Sequence, residues 1–152
     1  MNNELNSITI LEMSSLTKER PRTNFYTRAV YTPKKTKDNE KTIAQEFMVQ
    51  NPQWLIDRNP LKVSIEVFLN IPKGITKSVK VGMANDEIKP LTKPDVDNIA
   101  KLVLDALNGV AFVDDKQIIE LSVKKRYWDI ESQKSKNKLV KIYIEKEEPL
   151  SN

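Results

Sequence analysis

Four acidic residues and one lysine lie close together in the sequence around a single predicted helix. Asp95 and Asp97 begin this stretch, Lys101 follows one turn later, and the pair Asp114-Asp115 comes after the helix. Carboxylate oxygens are the ligands that Mg²⁺ prefers, and a few of them suffice because the ion keeps several waters. The spacing therefore predicts a site for a hard metal ion.

The helix that positions these residues is predicted from about Asn98 to Asn108, and Gly109 provides its left-handed stop. Asp97 and Lys101 are four residues apart and therefore point the same way. The apolar side chains recur at helical spacing and form one stripe, made of Ile99, Leu102, Val103, Ala106 and Leu107.

A strand is predicted directly after Asp114-Asp115, because Ile119, Leu121 and Val123 alternate with polar residues. A helix packed beside this strand brings Asp115 back towards the carboxylates at the helix start.

Each of these residues also has an ordinary structural interpretation. Asp97 is a natural N-cap for an apolar helix. Asp105 and Lys101 are spaced as an exposed i,i+4 pair, and Asp114-Asp115 suits a turn. The combined pattern D-x-D-N-x-x-K with a following D-D is more specific than any single acid and favours the metal site.

The rest of the chain predicts a single α+β domain, residues 1–152, with a mixed sheet of about four strands and two main helices. A helix is expected from Asp38 or Asn39 to about Gln50, with Ile43, Ala44, Phe47 and Met48 on one face, and residues 71–92 are expected to be irregular. The outward Phe68 and the helix over 40–50 are both candidate dimer surfaces. The other strands are expected at Ser7–Leu11, Leu61–Leu69 and Leu139–Glu145, the last forming a hairpin with the strand before it.

Composition excludes several classes of chemistry. The 152 residues are 39% hydrophobic, enough for one core, and contain neither cysteine nor histidine. Thiol nucleophiles, disulfides, Ser-His-Asp triads and His- or Cys-based metal centres are therefore excluded. The sequence also lacks a Gly-rich phosphate loop or dinucleotide fingerprint, so no nucleotide cofactor is expected. No apolar run approaches the length of a membrane span, and we expect a cytoplasmic protein.

Basic residues concentrate in a loop at about 12–38, where they alternate with Phe25, Tyr26 and Tyr31. Such a mixture suits a phosphate backbone and unstacked bases, although a solvated loop has the same composition. More lysines, Lys134, Lys136 and Lys138, lie in a later polar loop, and an acidic tail is expected at about 145–152.

The central motifs resemble the RusA family of Holliday junction resolvases, in particular its phage or prophage members. The resemblance rests on Lys93-Pro-Asp-Val-Asp-Asn-Ile-Ala-Lys, Leu104-Asp-Ala-Leu-Asn-Gly and Phe112-Val-Asp-Asp-Lys-Gln. Weaker matches are Arg20-Pro-Arg, Tyr31-Thr-Pro-Lys-Lys and Ile71-Pro-Lys.

The resemblance implies a homodimeric, Mg²⁺-dependent endodeoxyribonuclease, with Mn²⁺ as a substitute ion, that resolves four-way junctions by paired nicks during DNA recombination and repair. It implies that Asp95, Asp97 and Asp115 bind metal and that Lys101 is catalytic; Asp114, beside Asp115, is placed to share or exchange the role of Asp115. Lys101 is then placed to steady the scissile phosphate. The basic residues expected to contact DNA are Arg20, Arg22, Lys34, Lys35, Lys73, Lys77, Lys124 and Lys125.

Two other functions remain open from the sequence: a junction-binding accessory protein without catalysis, and a nuclease acting on flaps or forks.

Overall fold

The computed structural model describes residues 5–128 and 137–148. It confirms the predicted α+β class, with a mixed four-stranded sheet and two longer helices, joined by a third, shorter helix. The elements in chain order are β1 (Asn6–Met13), β2 (Arg22–Thr23), β3 (Val30–Tyr31), α1 (Lys34–Gln50), β4 (Leu61–Leu69), α2 (Lys77–Ala84), α3 (Val96–Leu107), a 3₁₀ turn (Asp115–Gln117), β5 (Ile118–Tyr127) and β6 (Lys138–Lys146).

The strand order in the main sheet is β1-β6-β4-β5, with β4 and β5 parallel and the other pairs antiparallel. The predicted hairpin between the last two strands is therefore wrong, because β6 lies between β1 and β4. The apolar content of the strands explains this: Val140, Ile142 and Ile144 on β6 are at most 1% exposed, whereas Ile119 and Leu121 on β5 are 56% and 42% exposed. The more apolar strand takes the centre of the sheet, and β5 takes an edge.

β4 has the predicted bounds, and its alternation places Val63, Ile65 and Val67 in the core. Phe68 points to the other face, where it contacts the ring of Trp128 (centroids 6.5 Å apart) and lies under Lys141 Nζ. Phe68, which was expected as a candidate dimer surface, is therefore covered in part by its own chain.

α1 begins four residues earlier than predicted, with Pro33 rather than Asp38 or Asn39 as the N-cap residue. A tertiary contact accounts for the early start: Thr36 is fully buried, and its Oγ1 accepts a hydrogen bond from the Glu19 N–H at 2.9 Å. Ile43 and Phe47 are buried as predicted, whereas Met48 is half exposed.

α2 lies in the segment that was expected to be irregular. Gly82 within it is buried, and a Cβ there would stand 2.9 Å from Ile88 Cδ1. A side chain at this position would therefore displace the end of Ile88, and the glycine that avoids this disfavours helix on local propensity alone.

The basic loop contains a small hairpin, β2-β3, and the first turn of α1. At the other end, β6 continues to Lys146, so the first two residues of the expected acidic tail are in a strand. Lys134, Lys136 and the tail from residue 149 lie outside the described residues. None of the helices in the described part of the chain has the length and apolar character needed to cross a bilayer.

Candidate functional site

Asp95 is the N-cap residue of α3, with extended backbone angles, and its side chain makes no capping hydrogen bond. Its carboxylate is therefore not used by the helix and is available to another ligand. Asp97, the residue that the sequence favoured as a cap, lies instead in the first turn of α3.

Asp97 and Lys101 lie on the same exposed face of α3, as their spacing predicted. Asp97 Oδ2 and Lys101 Nζ are 3.9 Å apart, and both side chains are about two-thirds exposed. An exposed pair at this distance contributes little to stability, so both groups can turn towards a substrate at little cost.

Asp105 does not pair with Lys101. Its Oδ2 lies 2.8 Å from Lys18 Nζ, which is also 2.9 Å from Glu40 Oε1. Burial disfavours the charged form of Lys18, but the hydrogen bonds that Lys18 donates to Asp105 and Glu40 outweigh this effect and raise the pKa of Lys18. Lys18 thus links α1 to α3. The sequence did not predict this role, because no local sequence feature distinguishes Lys18 from the basic residues near it.

Asp114 caps the 3₁₀ turn: its Oδ1 accepts the Lys116 N–H at 2.9 Å. Gln117 completes the turn, because its Oε1 accepts the N–H groups of Val113 and Asp114 at 2.9 and 3.1 Å. The structure therefore supports the turn interpretation of Asp114, and it identifies Gln117 as a residue that holds the acidic pair in place.

The amide nitrogen of Gln117 extends this network to the loop before β4. Nε2 donates to the carbonyl oxygens of Asp57 and Asn59 at 2.8 and 3.0 Å. The same loop is tied to the chain before Asp114 by Trp54, whose Nε1 donates to Ala111 O at 2.7 Å. Two separate contacts thus set the position of the Asp114-Asp115 turn.

Asp114 and Asp115 influence each other's ionisation. The hydrogen bond from the Lys116 N–H and a side-chain hydrogen bond with Asp115 lower the pKa of Asp114. The same bond to Asp114, followed by desolvation and by the charges of Asp114 and Asp105, raises the pKa of Asp115.

The structure does not bring the predicted metal ligands into one cluster. Within residues 5–128 and 137–148, no group of three Asp or Glu side chains is arranged to hold an ion. The donor chemistry of Asp95, Asp97, Asp114 and Asp115 nevertheless fits Mg²⁺.

A groove of about 500 Å³ begins beside Asp95 and is called the basic groove below. The charge of Lys18 is balanced by its two acidic partners. The other charged residues that line the groove are three lysines and the single carboxylate of Asp95. The groove is lined by Lys18, Lys35, Lys93, Lys138, Ser14, Ser15, Leu16, Thr17, Pro94, Asp95 and Asn98.

The predicted DNA-contacting residues are dispersed. Lys35 lines the basic groove, and Lys125 Nζ donates to Thr92 O at 2.6 Å, just before the site. Lys93 and Lys138 line the groove but were not predicted as DNA contacts. The others lie on β2 and its approach (Arg20, Arg22), the first turn of α1 (Lys34), the chain into α2 (Lys73, Lys77) and β5 (Lys124).

Comparison with known proteins gives two matches. The family model described as Endodeoxyribonuclease RusA matches residues 12–145, which include every element that forms the site. A Bacillus subtilis (strain 168) protein, "Uncharacterized protein YqaN", is 34% identical over 97 residues, covering 62% of this chain and 68% of that protein.

Proposed function

The chain belongs to the RusA endodeoxyribonuclease family, and from this premise we propose that it resolves four-way DNA junctions by Mg²⁺-dependent paired nicks in opposed strands, in DNA recombination and repair. Membership of this family supports a less specific statement, namely that the chain is a nuclease of a family that acts on branched DNA. The metal, the paired nicks and the individual residue roles are parts of the proposal.

The observation that carries the proposal is the position of Asp95. Its carboxylate is not used as a helix cap, and it lines a groove with a net positive charge. A phosphodiester held in this groove would lie close to Asp95. Asp97 and Lys101 then follow on the exposed face of α3.

In this mechanism Asp95, Asp97 and Asp115 would hold the metal ion, and Asp114 would be able to share the role of Asp115. Mg²⁺, or Mn²⁺ in its place, would supply Lewis acidity for the activation of water and for the charge on the phosphate. The Lys101 ammonium exchanges its weak contact with Asp97 for a phosphate oxygen and stabilises the charge that develops there. Gln117 keeps the Asp114-Asp115 turn in place.

Paired nicks in opposed strands require two active sites, so we propose that the functional unit is a homodimer. The exposed apolar side chains of α1, Met48 and Val49, and those of β1, Ile8 and Ile10, are the candidate surfaces. Sedimentation of the purified protein over a range of concentrations tests this part of the proposal.

Cleavage of a synthetic four-way junction tests the function. Wild-type protein is expected to make symmetric nicks with Mg²⁺ and none with EDTA, and to leave linear duplex intact. Asp95→Asn is expected to abolish cutting and retain binding. Asp38→Asn, which changes an exposed acid on α1, is the matched control and is expected to cut normally.

One observation favours a second candidate, junction binding without catalysis: within the described residues no three Asp or Glu side chains are grouped to hold an ion. Tight binding without cutting under any divalent metal would establish that alternative. Flap cleavage equal to or faster than junction cleavage would instead identify a broader structure-specific nuclease.

A further inference from the structure

The tip of the β2-β3 hairpin carries two adjacent aromatic rings that are almost entirely in water. Phe25 is 96% exposed and Tyr26 is 98% exposed. Each ring has a large apolar surface, and burying it is among the more favourable steps in folding or binding. Two such rings side by side on one tip indicate a surface that is covered by a partner.

The tip has a defined shape. Asn24 Oδ1 accepts the N–H groups of Tyr26 and Thr27 at 2.9 and 3.0 Å, and the Arg28 N–H donates to Asn24 O at 2.8 Å. Arg28 adopts a positive φ of 57° to close the turn. A pre-formed tip loses little conformational entropy on binding, so its rings are ready for a partner.

The charge around the rings identifies the chemistry of that partner. Residues 20–37 contain six basic side chains and no acidic one, whereas the whole chain carries a net charge of only +4. Contact between two copies of this segment would bring like charges together, which is unfavourable. A polyanion is the complementary partner, and in nucleic acids exposed bases provide flat faces for aromatic rings.

The hairpin is anchored next to the candidate active site. The Glu19 N–H donates to Thr36 Oγ1, which fixes the chain entering the hairpin to the first turn of α1. The same turn places Lys35 in the basic groove beside Asp95. DNA bound in the groove therefore passes close to the base of the hairpin.

Resting on the proposed function, we propose that Phe25 and Tyr26 stack on unpaired bases at the branch point of a DNA junction, while the arginines of the hairpin hold the adjacent phosphates. Stacking of this kind tolerates any base, because every base has a π-face. The hairpin would thus recognise the open centre of the junction rather than its sequence.

The test uses a four-way junction with 2-aminopurine at the branch point, in EDTA so that binding is measured without cutting. Wild-type protein and Phe25→Trp, which keeps a ring, are expected to change the 2-aminopurine fluorescence on binding. Phe25→Ala/Tyr26→Ala is expected to lose this change and to bind the junction roughly five- to a hundredfold more weakly, with little loss on linear duplex. Leu55→Ala, an exposed apolar truncation in the loop before β4, is the control for surface loss.

Unaltered affinity and fluorescence in the double variant would overturn the proposal. So would a double variant that sediments as a monomer where wild type is a dimer, since the rings would then be a contact between copies. Thermal unfolding verifies that the double variant is folded. Failure of the proposed function is a separate result, because wild-type protein would then cut no junction with Mg²⁺, whatever the hairpin variants do.

Discussion

Gln117 and Asp114 hold each other in place. Gln117 Oε1 accepts the backbone N–H of Asp114 at 3.1 Å, and Asp114 Oδ1 caps the turn to which Gln117 belongs. An uncharged side chain, which also bonds to Asp57 O and Asn59 O, thereby holds the Asp114-Asp115 pair against the loop before β4.

Replacing Gln117 with leucine should displace that pair. The variant loses two accepted and two donated hydrogen bonds, and we expect a loss of roughly 1–3 kcal/mol in the free energy of unfolding. We also expect cleavage to require more Mg²⁺, because the ligands on the turn are less well placed. Chemical denaturation and cleavage rates over a Mg²⁺ titration measure the two effects.

Lys116→Ala is the control for this experiment, since it changes the same turn but keeps its backbone N–H bond to Asp114. Gln117→Leu with a wild-type Mg²⁺ requirement would show that the turn does not position metal ligands.

Lys101→Met should remove charge stabilisation at the phosphate without affecting the fold. The Lys101 side chain is about two-thirds exposed, and its contact with Asp97 is long, so the melting temperature should not change. We expect the single-turnover cleavage rate to fall about 10²- to 10³-fold with junction affinity nearly constant. A rate within threefold of wild type would remove Lys101 from the mechanism.

Lys35→Ala and Lys93→Ala test the basic groove. If the removed side chain contacts a phosphate, the dependence of log affinity on log salt should become less steep by about 0.9. Affinity at low salt should also fall, to the same extent for junctions of different sequence. Lys41→Ala, on α1 outside the groove, should leave the slope as in wild type; equal slopes in all three variants would show that DNA does not enter the groove.

The ion pair between Lys146 and Asp57 predicts a pH dependence of stability. Lys146 Nζ is buried, 2.7 Å from Asp57 Oδ2 and 2.6 Å from Leu55 O. Burial raises the pKa of Asp57, but the hydrogen bonds from Lys146 and the Asn59 N–H outweigh it and hold the pKa below its ordinary value. The charged carboxylate therefore stabilises the fold above pH ~4, and this contribution is lost as the pH falls through the lowered pKa.

Asp57→Asn should accordingly be less stable than wild type by about 1–2 kcal/mol at pH 7, with the difference shrinking towards pH 3. Urea denaturation at the two pH values measures this. A difference that does not depend on pH would mean that packing of the loop, rather than charge, is responsible.

The local sequence pattern was sufficient to predict β4 and α3. β4 alternates strictly, and α3 has a complete apolar stripe, so each was predicted to within two residues at either end. α2 was missed because Gly82 and the valines around it disfavour helix locally, and packing against Ile88 overrides that preference. The position of β6 was also missed, because strand order depends on contacts between distant residues.

The same distinction between local patterns and contacts of distant residues applies to the candidate site. Asp97 and Lys101 were paired correctly, because i,i+4 spacing fixes their direction. The partners of Asp105 and Gln117 are Lys18 and the Asp57–Asn59 loop, which are far away in the chain and have no local signal.

The central place of β6 has a consequence for biosynthesis. In the sheet β6 lies between β1 and β4, but in the chain it comes after both strands. Until β6 has been translated, β1 and β4 therefore have no strand between them to pair with. Contacts that join such distant segments slow folding and prolong the exposure of unpaired strand edges. A nascent chain arrested before residue 138 would hold the whole Asp95–Asp115 region but no continuous sheet, so nuclease activity should emerge only after β6 leaves the ribosome.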